Sequence, residues 1–339
     1  MLVLTNCLAD VVDEGCLKTV NSIAKRIKEK CPDTTIVSYE RQSELTDITV
    51  NSNKLLLTGD IIKVLRKCDS EILFLPFPAK SSATALRSFI LSWISPRKVR
   101  ILYSQISDIS FLAGILFRLC RAEFIVLSED THRKMERVVG KSKVKRIKAG
   151  VQTDKFVPIS ADRAKELKEK YGLSPEKPVV LHVGHLNKGR NIEQLLKISD
   201  KYQVVLVTST LTADEQDLQL KSELQNNSVK IIEDYLPDIQ EIYQLADVYF
   251  FPVEQEGRCI DSPLSCLEAA ACNKPVVTTA FGELKEFRNC DGFFFIESFE
   301  ADELNLLIDK AVSCIADNRR YVMEYDWDNS VKDILFPES

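Results

Sequence analysis

The chain has 339 residues, of which 45% are hydrophobic and 28% are charged, and its formal net charge at pH 7 is −5. This length suggests two domains, and the ordinary composition excludes a disordered or fibrous chain. Because an acidic protein has no overall attraction to phosphate backbones, we expect no nucleic-acid partner.

The first half of the chain alternates short apolar runs with amphipathic stretches, which is typical of an α/β protein with parallel sheets. The runs lie at residues 1–5, 35–38, 72–76, 99–103 and 124–127. An acidic loop after the first run leads to Gly15, where an amphipathic helix begins that extends to Lys30. A glycine there lets backbone N–H groups approach a ligand, so Gly15 is a candidate donor-binding residue, although helix capping explains it nearly as well.

A second series of the same kind follows a charged helix at residues 161–171. Its apolar runs lie at residues 179–183, 204–208, 229–232, 248–252 and 275–279, and two of its helices at residues 238–245 and 262–272. Two consecutive series predict two Rossmann-like domains, at residues 1–155 and 156–318. The remaining residues, about 319–339, are predicted to form a helix that packs back on the first domain.

The chain offers no metal-ligand pattern, because its ten cysteines and three histidines do not occur at zinc-binding spacing. We therefore expect no metal and free, mostly buried thiols. The N-terminus has no basic segment before its apolar run, and no apolar run approaches the ~18 residues of a membrane-spanning helix. These features predict a cytoplasmic protein.

The most informative segment begins at Asp261, directly after the apolar run at residues 248–252 and its loop. Asp261 or Ser262 is suited to cap a helix, and Pro263 suits its first turn, where a missing N–H costs nothing. The sequence therefore predicts a helix that starts at the carboxyl end of a strand.

The start of this helix has the chemistry of a nucleotide site. The N–H groups of Leu264 and Ser265 are expected to lack partners, and with the helix dipole they would bind a diphosphate. Glu268 lies one turn further, and a carboxylate accepts two hydrogen bonds from a vicinal diol such as that of ribose. For this segment alone, a plain amphipathic helix with one exposed Glu is an equally good interpretation.

Four segments together carry a family resemblance. Residues 262–277, Ser-Pro-Leu-Ser-Cys-Leu-Glu-Ala-Ala-Ala-Cys-Asn-Lys-Pro-Val-Val, resemble the donor-site motif of the GT-B retaining glycosyltransferases of family 4, glycosyl transferases group 1. Residues 149–158, 181–191 and 242–252 resemble other segments of that family in the same order. The resemblance is strong over about residues 123–330 and only topological before.

This resemblance implies a GT-B fold, with two Rossmann-like domains facing each other across a cleft. The C-terminal domain would bind a nucleoside-diphosphate-sugar and the N-terminal domain the acceptor. Transfer would retain the anomeric configuration without a bound metal or other cofactor, the nucleotide sugar being a co-substrate.

The sequence departs from the family pattern where an acidic residue usually stands, eight positions before Glu268, because Ile260 occupies that position. Either the adjacent Asp261 presents its carboxylate to the donor sugar, which we favour, or the sugar contact is lost.

The basic loop after residues 179–183 also departs from the pattern, since His185 follows Gly184 where the family tends to have Arg. Lys188 and Arg190 come close behind, and cations are what a departing diphosphate needs as its charge grows. Lys188 and Arg190 are thus predicted to act on the diphosphate, with Gly184 and His185 as donor-binding neighbours. The alternative is a solvated surface turn.

Two apolar stretches with basic flanks, residues 86–98 and 111–121, are candidates for peripheral contact with a membrane. In family members with lipid-linked acceptors, such helices of the first domain meet the bilayer surface. Packing against the sheet is the commoner explanation for an apolar helix in this fold class.

The sequence thus predicts a hexosyltransferase that moves a sugar from a nucleoside-diphosphate-sugar to a glycan, lipid-linked or other hydroxyl acceptor. Two alternatives stay open: a non-catalytic nucleotide-sugar-binding GT-B scaffold, suggested by Ile260 and His185, and a GT-B sugar-nucleotide epimerase. The predicted catalytic residues are Lys188, Arg190, Asp261 and Glu268, and the predicted donor-binding residues are Gly15, Gly184, His185, Ser262, Leu264, Ser265 and Glu268.

Overall fold

The computed structural model describes residues 1–10, 15–39, 42–53, 55–56, 58–77, 82–106, 109–187, 189–208, 216–255 and 257–336. The chain forms two compact units, the first made of Met1–Ala149 with Trp327–Ser339 and the second of Gly150–Asp326. The chain leaves the first unit six residues before the predicted boundary at 155 and returns to it at Trp327.

The first unit is built on a seven-stranded parallel sheet. Its strands are β1 Leu2–Thr5, β2 Thr35–Tyr39, β3 Ile48–Val50, β4 Ile72–Leu75, β5 Val99–Tyr103, β6 Ala122–Val126 and β7 Val144–Arg146, and its helices to this point are α1 Gly15–Lys30, α2 Gly59–Lys67, α3 Ser82–Ile94, α4 Phe111–Leu119 and α5 Glu129–Val139. The spatial order is β3-β2-β1-β4-β5-β6-β7, so the order of strands reverses at β1.

The second unit is built on a six-stranded parallel sheet. Its strands are β8 Val179–Val183, β9 Gln203–Val207, β10 Lys230–Ile232, β11 Val248–Phe251, β12 Val276–Thr278 and β13 Phe293–Phe295, and its helices are α6 Ala161–Lys170, α7 Leu218–Asn226, α8 Ile239–Leu245, α9 Leu264–Ala271, α10 Ala301–Val312 and α11 Arg319–Val322. The spatial order β10-β9-β8-β11-β12-β13 reverses at β8.

The predicted α/β class with two parallel sheets is confirmed. Strands such as β4 and β11 are apolar and buried at every position, as expected where helices cover both faces of a sheet. The prediction missed β3, β7 and β13, which have only three residues each. All ten cysteines lie in the described ranges, and all are free thiols.

The end of the chain differs from the predicted single helix. The chain forms α11, a 3₁₀ turn at Met323–Tyr325, and then α12, Trp327–Leu335. The break lies at Asp326, whose backbone is extended (φ −62°, ψ 140°). Its Oδ2 accepts hydrogen bonds from the N–H and the hydroxyl of Thr153, at 3.2 and 2.5 Å, so these bonds fix the residue outside a helix.

The helix α12 completes the first unit, where it packs against α1. Trp327, Val331 and Ile334 on its inner face are buried. The hydroxyl of Ser330 donates to the carbonyl of Lys148 at 2.7 Å. The first unit therefore includes a helix from the far end of the chain.

The segment before the break is tied to the second unit by Arg319. Its guanidinium donates to the carbonyl oxygens of Thr153 (2.7 Å), Phe156 (2.6 Å) and Ala271 (2.9 Å). One side chain thus satisfies three backbone acceptors that come from two distant segments.

We expect Arg319→Ala to lower the free energy of unfolding of the second unit by about 2–3 kcal/mol, because three carbonyl groups would lose their donor. The neighbouring Arg320 is the matched control. It is exposed, and its contacts are the exposed Asp291 and Asp317 and the hydroxyl and ring of its neighbour Tyr321, so Arg320→Ala should change stability little. Urea denaturation of both variants measures the difference, and equal effects would contradict the role of Arg319.

Candidate functional site

The candidate site lies in the second unit at the carboxyl ends of β8 and β11, which are neighbours at the reversal of strand order. Asn191 in the loop after β8 donates to Glu254 in the loop after β11 at 2.9 Å. Gly189 has a φ of +88°, and a Cβ there would lie 2.7 Å from Nε of Arg258. The two loops therefore lie against each other, as expected of a ligand-binding edge in a parallel sheet.

Arg190 is the most unusual charged residue of this edge, because only 9% of its surface is exposed. Its Nε is buried, and none of the described residues accepts a hydrogen bond from it. Within the described ranges, no carboxylate forms an ion pair with its guanidinium. Since a buried cation is costly without a counter-charge, this arrangement is suited to bind an anion.

Gly184 and His182 stand beside Arg190. A Cβ on Gly184 would lie 2.8 Å from Nε2 of His182 and 3.2 Å from an Nη of Arg190, so only glycine fits. Burial lowers the pKa of His182 to about 4, and the positive charge of Arg190 acts in the same direction. The imidazole is therefore neutral at pH 7.

The other two predicted residues of the basic loop are His185 and Lys188. His185 is half-buried directly after Gly184. Lys188 lies outside the described residues, so its predicted role on the diphosphate stays a prediction. The loop is not the solvated turn of the alternative interpretation, since Arg190 is buried within it.

The helix α9 begins at Leu264, later than predicted. Pro263 occupies the N-cap position in an extended conformation, and no side chain caps the helix, so the predicted cap by Asp261 or Ser262 is wrong. Ser262 is buried instead. The N–H groups of Leu264 and Ser265 donate to no described residue, which leaves them able to bind a ligand.

Glu268 is buried on this helix, with 4% of its surface exposed. The hydroxyl of Tyr243 donates to its Oε2 at 2.6 Å. Burial raises the pKa of Tyr243 well above its ordinary value, so the phenol keeps its proton and serves as a donor. The alternative of a plain helix with an exposed Glu is wrong, because this carboxylate is enclosed and held in place.

Asp261 is held through its backbone. Its carbonyl oxygen accepts from the N–H of Glu283 at 2.8 Å. Gly282 has a φ of +49°, and a Cβ there would lie only 2.0 Å from that oxygen. The Asp261 side chain is partly exposed, whereas Ile260 is buried. Of the two, only Asp261 can offer a carboxylate to a ligand.

Three residues of this edge were not singled out from the sequence: His182, Tyr243 and Arg258. Tyr243 and His182 lie inside segments that carry the family resemblance, so their position was a usable signal. Arg258 is exposed in the same loop as Ile260, where the sequence departs from the family pattern. No sequence motif includes a basic residue at that position, so nothing singled it out.

Gly15, the candidate of the first unit, is the first residue of α1. The loop before it falls at residues 11–14, outside the described part of the chain. In the ranges that are described, no three His, Cys, Asp or Glu side chains come close enough to hold a metal ion. No helix of those ranges is long and apolar enough to cross a membrane.

Comparison with known proteins gives a family match and a shared fold. Residues 163–325, within the second unit, match the sequence model of the family described as glycosyl transferases group 1. Comparison with curated proteins finds no sequence match.

Solved structures of the GT-B fold resemble the whole chain. A glycosyltransferase from Rickettsia africae has a TM-score of 0.77 and 16% identity, covering 99% of each chain. HepE from Anabaena in complex with UDP has a TM-score of 0.75 and 16% identity, covering 98% of each chain. WaaG, a glycosyltransferase of lipopolysaccharide biosynthesis, has a TM-score of 0.69 and 15% identity over 100% of both chains. The chain therefore has the GT-B fold.

The lowered pKa of His182 predicts a loss of stability in acid. Below the ordinary pKa of 6.5 the unfolded chain binds a proton at this residue, whereas the folded chain does not until about pH 4. The free energy of unfolding should therefore fall between pH 6.5 and pH 4, by at most about 3 kcal/mol from this residue. In His182→Asn, urea denaturation at pH 7 and 4.5 should show a correspondingly smaller difference; an unchanged difference would contradict the assignment.

Proposed function

We propose that the chain is a retaining glycosyltransferase that uses a nucleoside-diphosphate-sugar as donor. The observation that carries this proposal is the nearly buried guanidinium of Arg190, which has no carboxylate partner among the described residues. It lies at the same sheet edge as the open N–H groups of Leu264 and Ser265. A diphosphate is the common anion that matches one cation and a helix start together.

The family match over residues 163–325 supports this function, because it covers the loops and helix that form the site. HepE, which shares the fold, has been solved with UDP and with UDP-glucose. We therefore propose a UDP-sugar as the first donor to test, ahead of GDP- and ADP-sugars.

Each residue of the edge has a distinct role in this proposal. Arg190, with Lys188, stabilises the charge that grows on the diphosphate as the glycosidic bond breaks. Glu268, oriented by Tyr243, accepts hydrogen bonds from the ribose diol. Asp261 contacts the donor sugar in place of the acidic residue replaced by Ile260.

Retention of configuration needs no protein nucleophile in this mechanism. An oxygen of the departing diphosphate takes the proton of the acceptor hydroxyl, and the enzyme contributes position and positive charge. We propose that no metal takes part, since cationic side chains supply the charge. A non-catalytic nucleotide-sugar-binding protein is the alternative, and slow hydrolysis of the donor in the absence of acceptor distinguishes the two, because a binder should show none.

We expect Arg190→Gln to lower turnover, measured as donor hydrolysis or transfer, by about 10²–10³, because one cation is lost from the transition state. Arg288→Gln is a matched control, since Arg288 is exposed in the same unit and pairs with the exposed Glu297 at 3.3 Å. A thermal-shift screen with UDP-, GDP- and ADP-sugars identifies the donor first. If Arg190→Gln keeps the wild-type rate with that donor, the assignment of the site is wrong.

We also propose that the first unit contacts an anionic bilayer through α3 and α4. Phe111 and Leu112 are 87% and 63% exposed, and Trp93, Ile115 and Leu119 are exposed beside them. We call these five residues the apolar face. Five large exposed apolar residues side by side are unusual on a protein surface unless they have a partner. All five lie within residues 86–98 and 111–121, the segments predicted to contact a membrane.

The charges around the apolar face favour an anionic lipid surface over another protein core. Arg121 stacks on the Trp93 ring at 3.5 Å, and the Trp93 indole donates to the carbonyl of Leu119 at 3.0 Å. Arg118, in the last turn of α4, pairs with no carboxylate in the described ranges. Aromatic and basic side chains together suit the boundary between lipid headgroups and acyl chains. A lipid-linked acceptor would be met at such a surface.

Flotation with vesicles of phosphatidylcholine and phosphatidylglycerol tests this contact. We expect the wild type to float, and a double variant Phe111→Glu/Leu112→Glu to lose at least tenfold in bound fraction, because two charges would enter the interface. Leu306→Glu is the control, since Leu306 is an exposed leucine of the second unit, on α10. No flotation of the wild type at low salt would exclude the contact.

A further inference from the structure

His182 is the fourth residue of β8, and one hydrogen bond holds its imidazole ring. Its Nδ1 lies 2.8 Å from the carbonyl oxygen of Phe250 in the neighbouring strand. A carbonyl oxygen only accepts, so Nδ1 carries the proton and Nε2 presents a lone pair. The ring is fully buried and stacks with Tyr249 and Phe251, at 6.4 and 6.2 Å between ring centroids.

The Nε2 of His182 is buried, and no described residue forms a hydrogen bond with it. The Nε of Arg190 is also buried, and it too lacks a partner in the part of the chain that the structure describes. Both side chains reach the space where Gly184 lacks a Cβ, at 2.8 Å for Nε2 and 3.2 Å for an Nη of Arg190. The unpaired acceptor of His182 and the guanidinium of Arg190, which carries the unpaired Nε, thus meet at the same glycine, and a buried polar atom is costly to leave unpaired.

We propose that His182 is a positioning residue that orients the guanidinium of Arg190 when an anion binds. A small rotation of Arg190 lets one N–H donate to Nε2 of His182, while the remaining N–H groups face the anion. A neutral imidazole suits this task, because a carboxylate in its place would hold the guanidinium equally well but cancel the charge that the anion needs.

The surroundings of His182 keep it in this neutral form. Burial opposes its protonation, and so does the charge of Arg190 itself, so the acceptor lone pair is available throughout the neutral range. Gly184 is part of the same arrangement, since any larger residue would occupy the space that the two nitrogens share. The inference rests on the proposed function, in which the anion is the donor diphosphate.

Two substitutions test the Nδ1 bond of His182 to Phe250 and its Nε2 acceptor separately. In His182→Asn, the amide nitrogen takes the place of Nδ1 and keeps the bond to Phe250, but the side chain ends before Nε2. In His182→Gln, the longer side chain carries its amide to the place of Nε2 and restores an acceptor. Calorimetry with UDP and with inorganic pyrophosphate measures the affinity of each full-length variant.

We expect His182→Asn to weaken the binding of both probes about tenfold, and His182→Gln to stay within about threefold of the wild type. In an Arg190→Gln background, His182→Asn should change affinity less than twofold, because the group that it orients is gone. A full tenfold loss in that background would overturn the proposal and leave the diphosphate site intact. If the wild type binds neither probe nor any nucleotide sugar, the proposed function fails, and this inference fails with it.

A measurement on the wild type avoids any folding defect of the variants. The chain has three histidines, so their ¹⁵N side-chain resonances are few enough to assign with single substitutions of His132 and His185. On addition of UDP, the Nε2 resonance of His182 should move in the direction of a hydrogen-bonded acceptor, while Nδ1 keeps its proton. UDP binding without a change at Nε2 would overturn the proposal.

Discussion

Parallel strands place all of their carboxyl ends at one edge of a sheet, and this constraint organises both units. At β1 and at β8 the chain continues first to one side of the strand and later to the other. The loops on either side of that strand therefore diverge and leave room at the edge. In the second unit the loops after β8 and β11 border this room and meet at its side, where Asn191 donates to Glu254, 63 positions further along the chain.

The distinctive feature of that edge is the charge of Arg190, which no carboxylate of the described residues compensates. Most buried arginines pair with a carboxylate, and such a pair is nearly neutral toward a ligand. Here the neighbours of Arg190 include a glycine without a side chain and an uncharged imidazole. In the proposed function, this edge is less stable without its ligand, and the donor diphosphate would recover the difference on binding.

The sequence predicted the bounds of a helix or strand correctly where apolar residues recur at the period of that element. The helix α1 was predicted with its observed bounds, because Leu17, Val20, Ile23 and Ile27 recur at helical spacing and all are buried. Strands of three residues, such as β13, are too short to show a period. The start of α9 was misplaced because the carbonyl of Asp261 bonds to Glu283, a contact between separate segments that keeps the chain extended through Pro263.

The candidate site shows the same division. The motif predicted Arg190 and Glu268 as site residues, and the structure places both at the carboxyl edge of the second sheet or on the helix that follows it. Their supports were not predicted, because each is a bond between distant residues: Tyr243 reaches Glu268 across 25 positions and His182 reaches Phe250 across 68. The spacing of residues along a chain does not show which residues of different helices or strands form a hydrogen bond in the fold.

The break at Asp326 has a consequence for the order in which the chain acquires its structure. The second unit is continuous in sequence, whereas the first unit needs α12 from the end of the chain to cover α1. During synthesis from the N-terminus, α1 is made long before Trp327 and Ile334, so it lacks its contact with α12 until those residues have been added. The second unit can therefore close before α12 has been made, and the first unit is completed only when α12 joins it.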